Sequence, residues 1–349
     1  MLKEGKLSIE LLKQILILKG AKNDGLVVPP GIGIDASAID LSICQKKCQH
    51  FYESSDNCYL VVKSDPITFP TKNPGRYSVI VNANDLSCLG GIPYGITTTL
   101  LFPYESTKED VTRIQSEIDK ICNQLKISIL GGHTEITNSV KRVIISLSMI
   151  GFVPPSFLPN MMLEKGAKLL LIGYIGNEGT AILANEINSV TKEQIIEQEL
   201  IDQFEENLFI GDIALEINKR FQPIAIHDPT EGGLLGAIYE LMSESKCGVI
   251  IDKINLKRHI HNLTNEITNK LSIDPLRLIS SGTLLVILQS SKIKDFFEFS
   301  PTIKRPISVI GELTGEKLIF NDNTEISAPE SDELISGIKN ISNAYNLNN

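Results

Sequence analysis

Apolar residues in the first part of the chain change period from segment to segment, and each change marks an element. Leu7, Leu11, Ile15 and Leu18 share one helical face. Tyr59-Leu-Val-Val is a short β-rich run that leads to Asp65. Tyr77, Ile80, Val81, Asn84 and Leu89 recur at helical spacing, and Gly90-Gly91 with Pro93 predict its stop. Residues 96–102 read as a strand closed by Pro103. Ser106 and Glu109 predict a capping box before an amphipathic helix with Val111, Ile114, Ile118, Ile121, Cys122 and Leu125. Short strands are predicted over 127–130, delivering Gly131-Gly132, and over 143–153.

Pro154-Pro155 and Pro159 interrupt this alternation and predict a boundary near 155, with domains at 1–155 and 156–349. Beyond it, 168–172 reads as a strand running into Gly173-x2-Gly176-x2-Gly179, then a helix with Ile182, Leu183 and Ile187. Helices are predicted over 209–221 and 234–242, and strands over 224–226 and 283–288. Residues 309–313 open a predicted terminal hairpin, and the Asn-rich tail from Ser342 is expected to fray. Two strand–helix–strand halves predict two α+β domains.

Composition narrows the function classes. The 349 residues are 42% hydrophobic and 21% charged, enough to bury sizeable cores. A net charge of -9 argues against a nucleic-acid partner, which would want a basic face. No run of 18 uninterrupted apolar residues marks a membrane span, and Lys13 and Gln14 break the N-terminal apolar pattern that a signal peptide would need. The chain therefore reads as cytoplasmic. Its six cysteines read as scattered reduced thiols of such a protein. Cys44-x3-Cys48-x-His50-x7-Cys58 leaves a zinc or iron–sulfur site as the alternative, with residues 51–57 as a hairpin or loop between two strands.

The chemistry lies in carboxylates set among glycine and asparagine. They are Asp35 in Gly31-Ile-Gly33-Ile-Asp35, Asp65 in Lys63-Ser-Asp65-Pro66, and Asp85 in Asn82-Ala-Asn84-Asp85. Glu135 follows in Gly131-Gly132-His-Thr134-Glu135, and Asp228 in His227-Asp228-Pro-Thr230-Glu231-Gly-Gly233. Mg²⁺ is usually held by one or two carboxylates plus substrate phosphates, and glycine lets the backbone approach phosphate oxygens. Taken singly, Asp35 is an ordinary turn aspartate, Asp65 a strand-end cap and Asp85 a half-buried helix residue. Taken in order, they point to a polyphosphate site. The Asp228 loop, a strand end opening a helix through a glycine pair, suits a phosphate at the amides and a carboxylate facing the substrate. The 173–179 turn reads equally as a phosphate-facing helix start or as a plain strand-to-helix turn. His259 and His261 read as solvated, and no Ser-His-Asp or Cys-His arrangement appears.

These stretches together resemble the PurM superfamily, most nearly its HypE-like, AIR synthase-related branch. The resemblance rests on residues 31–40, 61–75, 81–93, 131–137, 176–184, 227–240 and 279–286, nearly the whole chain in the right order. It implies an α+β fold of two domains, with an N-terminal domain that dimerises through its sheet. It implies ATP and Mg²⁺ in a cleft of a homodimer. Asp35, Asp65 and Asp85 match the family's metal carboxylates. Gly31, Gly33, Lys63, Asn82, Asn84, Gly131, Gly132 and Thr134 match its nucleotide site. Asp228 and Thr230, with Asp85, match its catalytic positions. The implied reaction is phosphoryl transfer to, or activation of, a small-molecule or carbonyl-type acceptor.

Some positions depart from the family. HypE proteins end in a cysteine that carries the reacting group, whereas this sequence closes on Tyr345-Asn-Leu-Asn-Asn349. That step is therefore not expected in cis. Where HypE has Gly-Asp-Thr-Lys this chain has Gly132-His-Thr-Glu135, and Glu231 replaces a usual arginine, so a different acceptor is implied. The alternatives are an accessory protein that docks a maturation partner and, through Cys44, Cys48 and Cys58, a metallochaperone.

Overall fold

The computed structural model describes residues 2, 4–54, 56–243, 245 and 247–345. It forms two compact α+β units, Met1–Leu158 and Pro159–Asn349, divided within the proline-rich stretch. In the first unit the strands are β1 (Gly5–Lys6), β2 (Leu26–Val28), β3 (Ala38–Ile39), β4 (Tyr59–Ile67), β5 (Ile92–Phe102), β6 (Ser128–Ile136) and β7 (Ile144–Val153). The helices are α1 (Ile9–Ile15), α2 (Ser42–Tyr52), α3 (Pro74–Cys88) and α4 (Lys108–Gln124). β2 and β3 form a separate ribbon, and the main sheet runs β1-β6-β5-β7-β4. Only β5 and β6 in that sheet are parallel.

Four expectations are corrected here. β4 is longer than its apolar run, because antiparallel pairing to β7 continues through Asp65 and Pro66 to Ile67↔Ile145. The strand predicted over 127–130 does not stop before Gly131-Gly132: β6 runs through them beside β5, with a register shift opposite Ile96–Thr97. A Cβ at Gly132 would lie 2.3 Å from the Thr98 carbonyl oxygen, so the glycine permits strand contact. The capping box sits one residue later, with Asp110 N–H donating to Thr107 Oγ1 at 3.2 Å and Thr107 N–H to Asp110 Oδ2 at 2.9 Å. Finally, the chain before Glu53 is a helix and not a strand. Ile43, Cys44, Cys48 and Tyr52 form the buried stripe of α2, where cysteine acts as a small hydrophobe.

α3 is enclosed on nearly all sides, so even Asn82 and Asn84 are fully buried. It approaches α4 closely enough that a Cβ at Gly75 would stand 2.7 Å from the Ile114 carbonyl oxygen. This fixes the α3 carboxylate against β4.

The second unit contains β8 (Lys168–Ile172), β9 (Ala225–His227), β10 (Val249–Ile251), β11 (Leu284–Leu288), β12 (Ile307–Leu313) and β13 (Leu318–Phe320). Its sheet order is β13-β10-β12-β8-β11-β9. The helices are α5 (Asn177–Thr191), α6 (Gln198–Glu206), α7 (Gly211–Phe221), α8 (Gly233–Ser243), α9 (Lys253–Lys257), α10 (Asn262–Leu271), α11 (Ile293–Phe299) and α12 (Glu333–Ala344). β11 is buried along its whole length, as its unbroken Leu-Leu-Val-Ile-Leu run requires. The predicted terminal hairpin does not form, because β10 lies between β12 and β13 and pairs parallel to the latter. Nor does the chain fray at Ser342. α12 continues to Ala344, and the Tyr345 ring lies 3.6 Å from Lys270 Nζ. The remaining tail, 346–349, lies outside the described residues. Among the described residues no helix is long and apolar enough to cross a membrane.

Candidate functional site

β4 and α3 build the most polar part of the first unit. Lys63 and Asp65 are two residues apart on β4 and so share a face. Asp85 comes from α3. Lys63 Nζ is 2.8 Å from Asp85 Oδ2 and 3.4 Å from Asp65 Oδ2. Burial works to lower the Lys63 pKa, but hydrogen bonds and charges from Asp85 and then Asp65 outweigh it and the net shift is upward. Lys63 is thus a cation held between two carboxylates. Asn82 donates to the Asp65 carbonyl oxygen at 3.3 Å and to Ser78 O at 2.8 Å. Its Oδ1 is buried without a hydrogen-bond partner. Two carboxylates and an amide oxygen without a hydrogen-bond partner are hard donors of the kind Mg²⁺ takes.

Other predicted residues are less gathered. Asp35, with Gly31 and Gly33, lies in the exposed stretch between β2 and β3. Ile32 and Ile34 there are 44% and 47% exposed, so no packing draws Asp35 inward. Ser37 anchors the end of this stretch to the Leu130 carbonyl on β6. Among the described residues, Asp35, Asp65 and Asp85 do not form a cluster with ligand atoms within 4.8 Å of one another; Cys44, Cys48 and Cys58 do. Those cysteines are therefore not scattered. Cys44 and Cys58 are joined as a disulfide, and burial pushes the neighbouring Cys48 thiol up to about 11. Thr134 sits on β6 opposite Leu100, and beyond it His133 Nε2 lies 2.9 Å from Glu135 Oε2.

In the second unit, β9 delivers Asp228, which is 1% exposed. The two glycine amides of the turn after it are not open. Gly232 N–H donates to Asp332 Oδ2 at 2.7 Å, and Gly233 N–H to the Thr230 carbonyl at 3.0 Å. Asp332 also accepts from Ile279 and Leu334 N–H groups, taking the place expected for a ligand anion. The 173–179 turn is likewise satisfied internally. Gly176 N–H donates to Ser280 Oγ at 2.8 Å and Gly179 N–H to Ile279 O at 3.0 Å. His259 is not solvated. It is fully buried, with Nδ1 2.7 Å from the Gly173 carbonyl, and burial chiefly lowers its pKa.

Three titratable residues here escaped the sequence reading. Burial pushes Glu178 up to about 7; Ser281 hydrogen bonding pulls it down, and the Glu231 and Asp332 charges push it further up. Burial likewise raises Asp332 to about 6, against three backbone hydrogen bonds. Arg305 donates to the carbonyls of Asn207, Gly282 and Phe209 at 2.7, 2.8 and 2.8 Å. It borders a cavity of about 230 Å³ with Tyr174, Asn177 and Lys304. The available signals were a carboxylate at the start of α5 and Ser-Asp-Glu as the cap of α12.

Two family models match the chain, AIR synthase related protein N-terminal domain over 47–153 and C-terminal domain over 164–321. The chain belongs to the AIR synthase-related family. A Methanocaldococcus jannaschii protein named for hydrogenase expression and formation is 28% identical over 235 residues, or 64% of this chain. The match spans 64% of that relative, just under two thirds of its length. The crystal structure of Escherichia coli HypE, a hydrogenase maturation protein, matches with a TM-score of 0.75 at 18% identity, covering 95% of this chain and 100% of that one. HypE in complex with ATP matches with a TM-score of 0.72 at 17% identity, covering 95% and 97%. At these identities the likeness is one of AIR synthase-related fold.

Proposed function

We propose that the protein is an ATP-dependent, Mg²⁺-requiring homodimeric enzyme that transfers phosphate to, or uses it to activate, an oxygen of a small-molecule or carbonyl-type acceptor. The observation that carries this reading is the Asp65–Lys63–Asp85 arrangement, a cation clamped by two carboxylates on neighbouring elements. The ATP-bound HypE structure supports the nucleotide. Asp65 and Asp85 would hold the metal, and Mg²⁺ would neutralise charge developing on the phosphate oxygens. Lys63 would turn from the carboxylates to the phosphates, with Asn82 and Asn84 fixing the α3 side. Asp35 would assist from the 31–35 stretch. Gly131, Gly132 and Thr134 would line the phosphate path, and Asp228 and Thr230 would face the acceptor. Such catalysis is mostly positioning and charge, so no covalent residue is needed. Leu60 and Val62, 52% and 63% exposed on edge strand β4, support self-association of the sheet.

The test is calorimetric titration of ATP with and without Mg²⁺, beside Asp85→Asn. Saturable binding that needs both supports the reading; no binding by the unaltered protein with Mg²⁺ overturns it. A second reading is an accessory that docks a maturation partner. It is favoured by Glu135, which engages His133 where the resemblance to HypE implies a lysine, and by Glu231 in place of an arginine. ATP binding without ADP formation would support that reading.

A further inference from the structure

The proposed reaction uses no cysteine, yet three of those in the first unit are clustered. Cys44 and Cys48 lie one turn apart on the buried face of α2, and Cys58 immediately precedes β4. Their sulfur atoms all lie within 4.8 Å of one another. They sit against Ile43, Tyr94, Leu130 and Phe152, an apolar bed with no oxygen ligand in the group. In a tetrahedral thiolate site with metal–sulfur bonds of about 2.3 Å, sulfurs stand about 3.8 Å apart. Small side-chain rotations would therefore close this trio around one ion.

Three sulfurs form a soft donor set, which selects against Mg²⁺ and Ca²⁺. His50 does not complete it, because it is two residues from Cys48 and on the exposed side of α2. Cys58 is only half-buried, so the fourth coordination position falls on its side. Asp65 is six residues along from Tyr59, about 20 Å at strand rise, which separates this place from the carboxylate pair. The Cys44–Cys58 disulfide, with Cα atoms 6.1 Å apart, is the oxidised form of the same trio.

We propose that the reduced protein binds one thiophilic divalent cation of the Zn²⁺ class through Cys44, Cys48 and Cys58, with a fourth position open to solvent. A phosphine reductant prepares this form. It gives two electrons to the sulfur–sulfur bond and takes the oxygen of one water to become phosphine oxide. The two protons of that water go to the Cys44 and Cys58 sulfurs.

The test uses the full chain, reduced in this way, stripped with chelator and titrated with Co²⁺ and then Zn²⁺. Sulfur-to-cobalt charge-transfer absorption and metal content per chain are the readouts. The expected result is one equivalent of Co²⁺ with a thiolate band, displaced by Zn²⁺ and unaffected by Asp85→Asn. In Cys48→Ala the band should be lost or its affinity reduced at least 100-fold. Cys58→Ser, at the half-exposed position, provides a second variant that leaves the buried bed filled. Circular dichroism verifies that each variant is folded. A reduced wild-type chain without the band overturns the proposal, as does a band retained in both folded variants. Cobalt bound without sulfur absorption points to oxygen ligands and overturns it too.

Discussion

Asp65 and Asp85 of the first unit are 31% and 18% exposed and share the Lys63 ammonium. Glu178 and Asp332 of the second unit are 4% and 5% exposed, and the nearby charges that act on Glu178 are those of Asp332 and Glu231. Burial, with like charges nearby, drives Glu178 and Asp332 to keep their protons, whereas Asp65 and Asp85 face a cation. On the proposed function, the first pair exchanges one cation for another. The second pair is part of the fabric of its unit, with Asp332 binding three backbone N–H groups. On that function, one set of acids serves a ligand, while the other serves the fold.

The largest expected effect comes from the first set. Asp85→Asn should lower ADP formation more than 100-fold while thermal unfolding stays near that of the unaltered protein. A retained rate would remove Asp85 from the metal site.

Glu178→Gln should act on stability and its pH dependence. The folded state holds the Glu178 proton up to about 7, against 4.5 for the ordinary group. Between those values the folded chain binds more protons than the unfolded one, so stability is greatest below the window, falls as pH rises through it and levels off above it. At 1.36 kcal/mol per pKa unit the fall is about 3 kcal/mol. Urea midpoints at pH 5 and pH 8 measure it. Glu178→Gln should flatten most of the difference, leaving a remainder of the same sign from Asp332. An unchanged slope in the variant would show that Glu178 titrates normally.

Lys63→Met should remove the ammonium that Asp65 and Asp85 share. The pair is partly exposed, so the loss is about 1 kcal/mol at low salt. Millimolar Mg²⁺ should restore it, as scanning calorimetry would show; failure to restore would mean that the carboxylates cannot take the ion. Thr107→Ala supplies the baseline, a loss of about 1 kcal/mol from the α4 cap that neither Mg²⁺ nor pH above 5 recovers. A larger loss would show that the Thr107–Asp110 exchange does more than cap a helix.

Much of this arrangement was legible in the sequence. The apolar spacing after Asp110 located α4, the run 283–288 located a buried strand, and the β-rich run before Asp65 and the helical spacing around Asp85 located β4 and α3. α2 was not legible because its cysteines look like ligands, and only as hydrophobes do they complete a helical stripe with Ile43 and Tyr52. The second half of β6, beyond Leu130, was hidden because glycine reads as a turn, although Gly132 is there to let β5 come close. His259, Glu178 and Asp332 were missed for a common reason. Burial of a polar group is set by partners distant in sequence, such as Gly173 for His259 and Gly232 for Asp332, and no local pattern records them.

Pro66 near the end of β4 has a consequence for crowded conditions. β4 is an edge strand, and a bare edge offers a row of amides to any other extended chain. A proline has no amide to offer, so a stray strand zipping along β4 from Tyr59 would run out of rungs at Pro66. The same strand that exposes Leu60 and Val62 thus ends in a built-in stop against fibre-like growth.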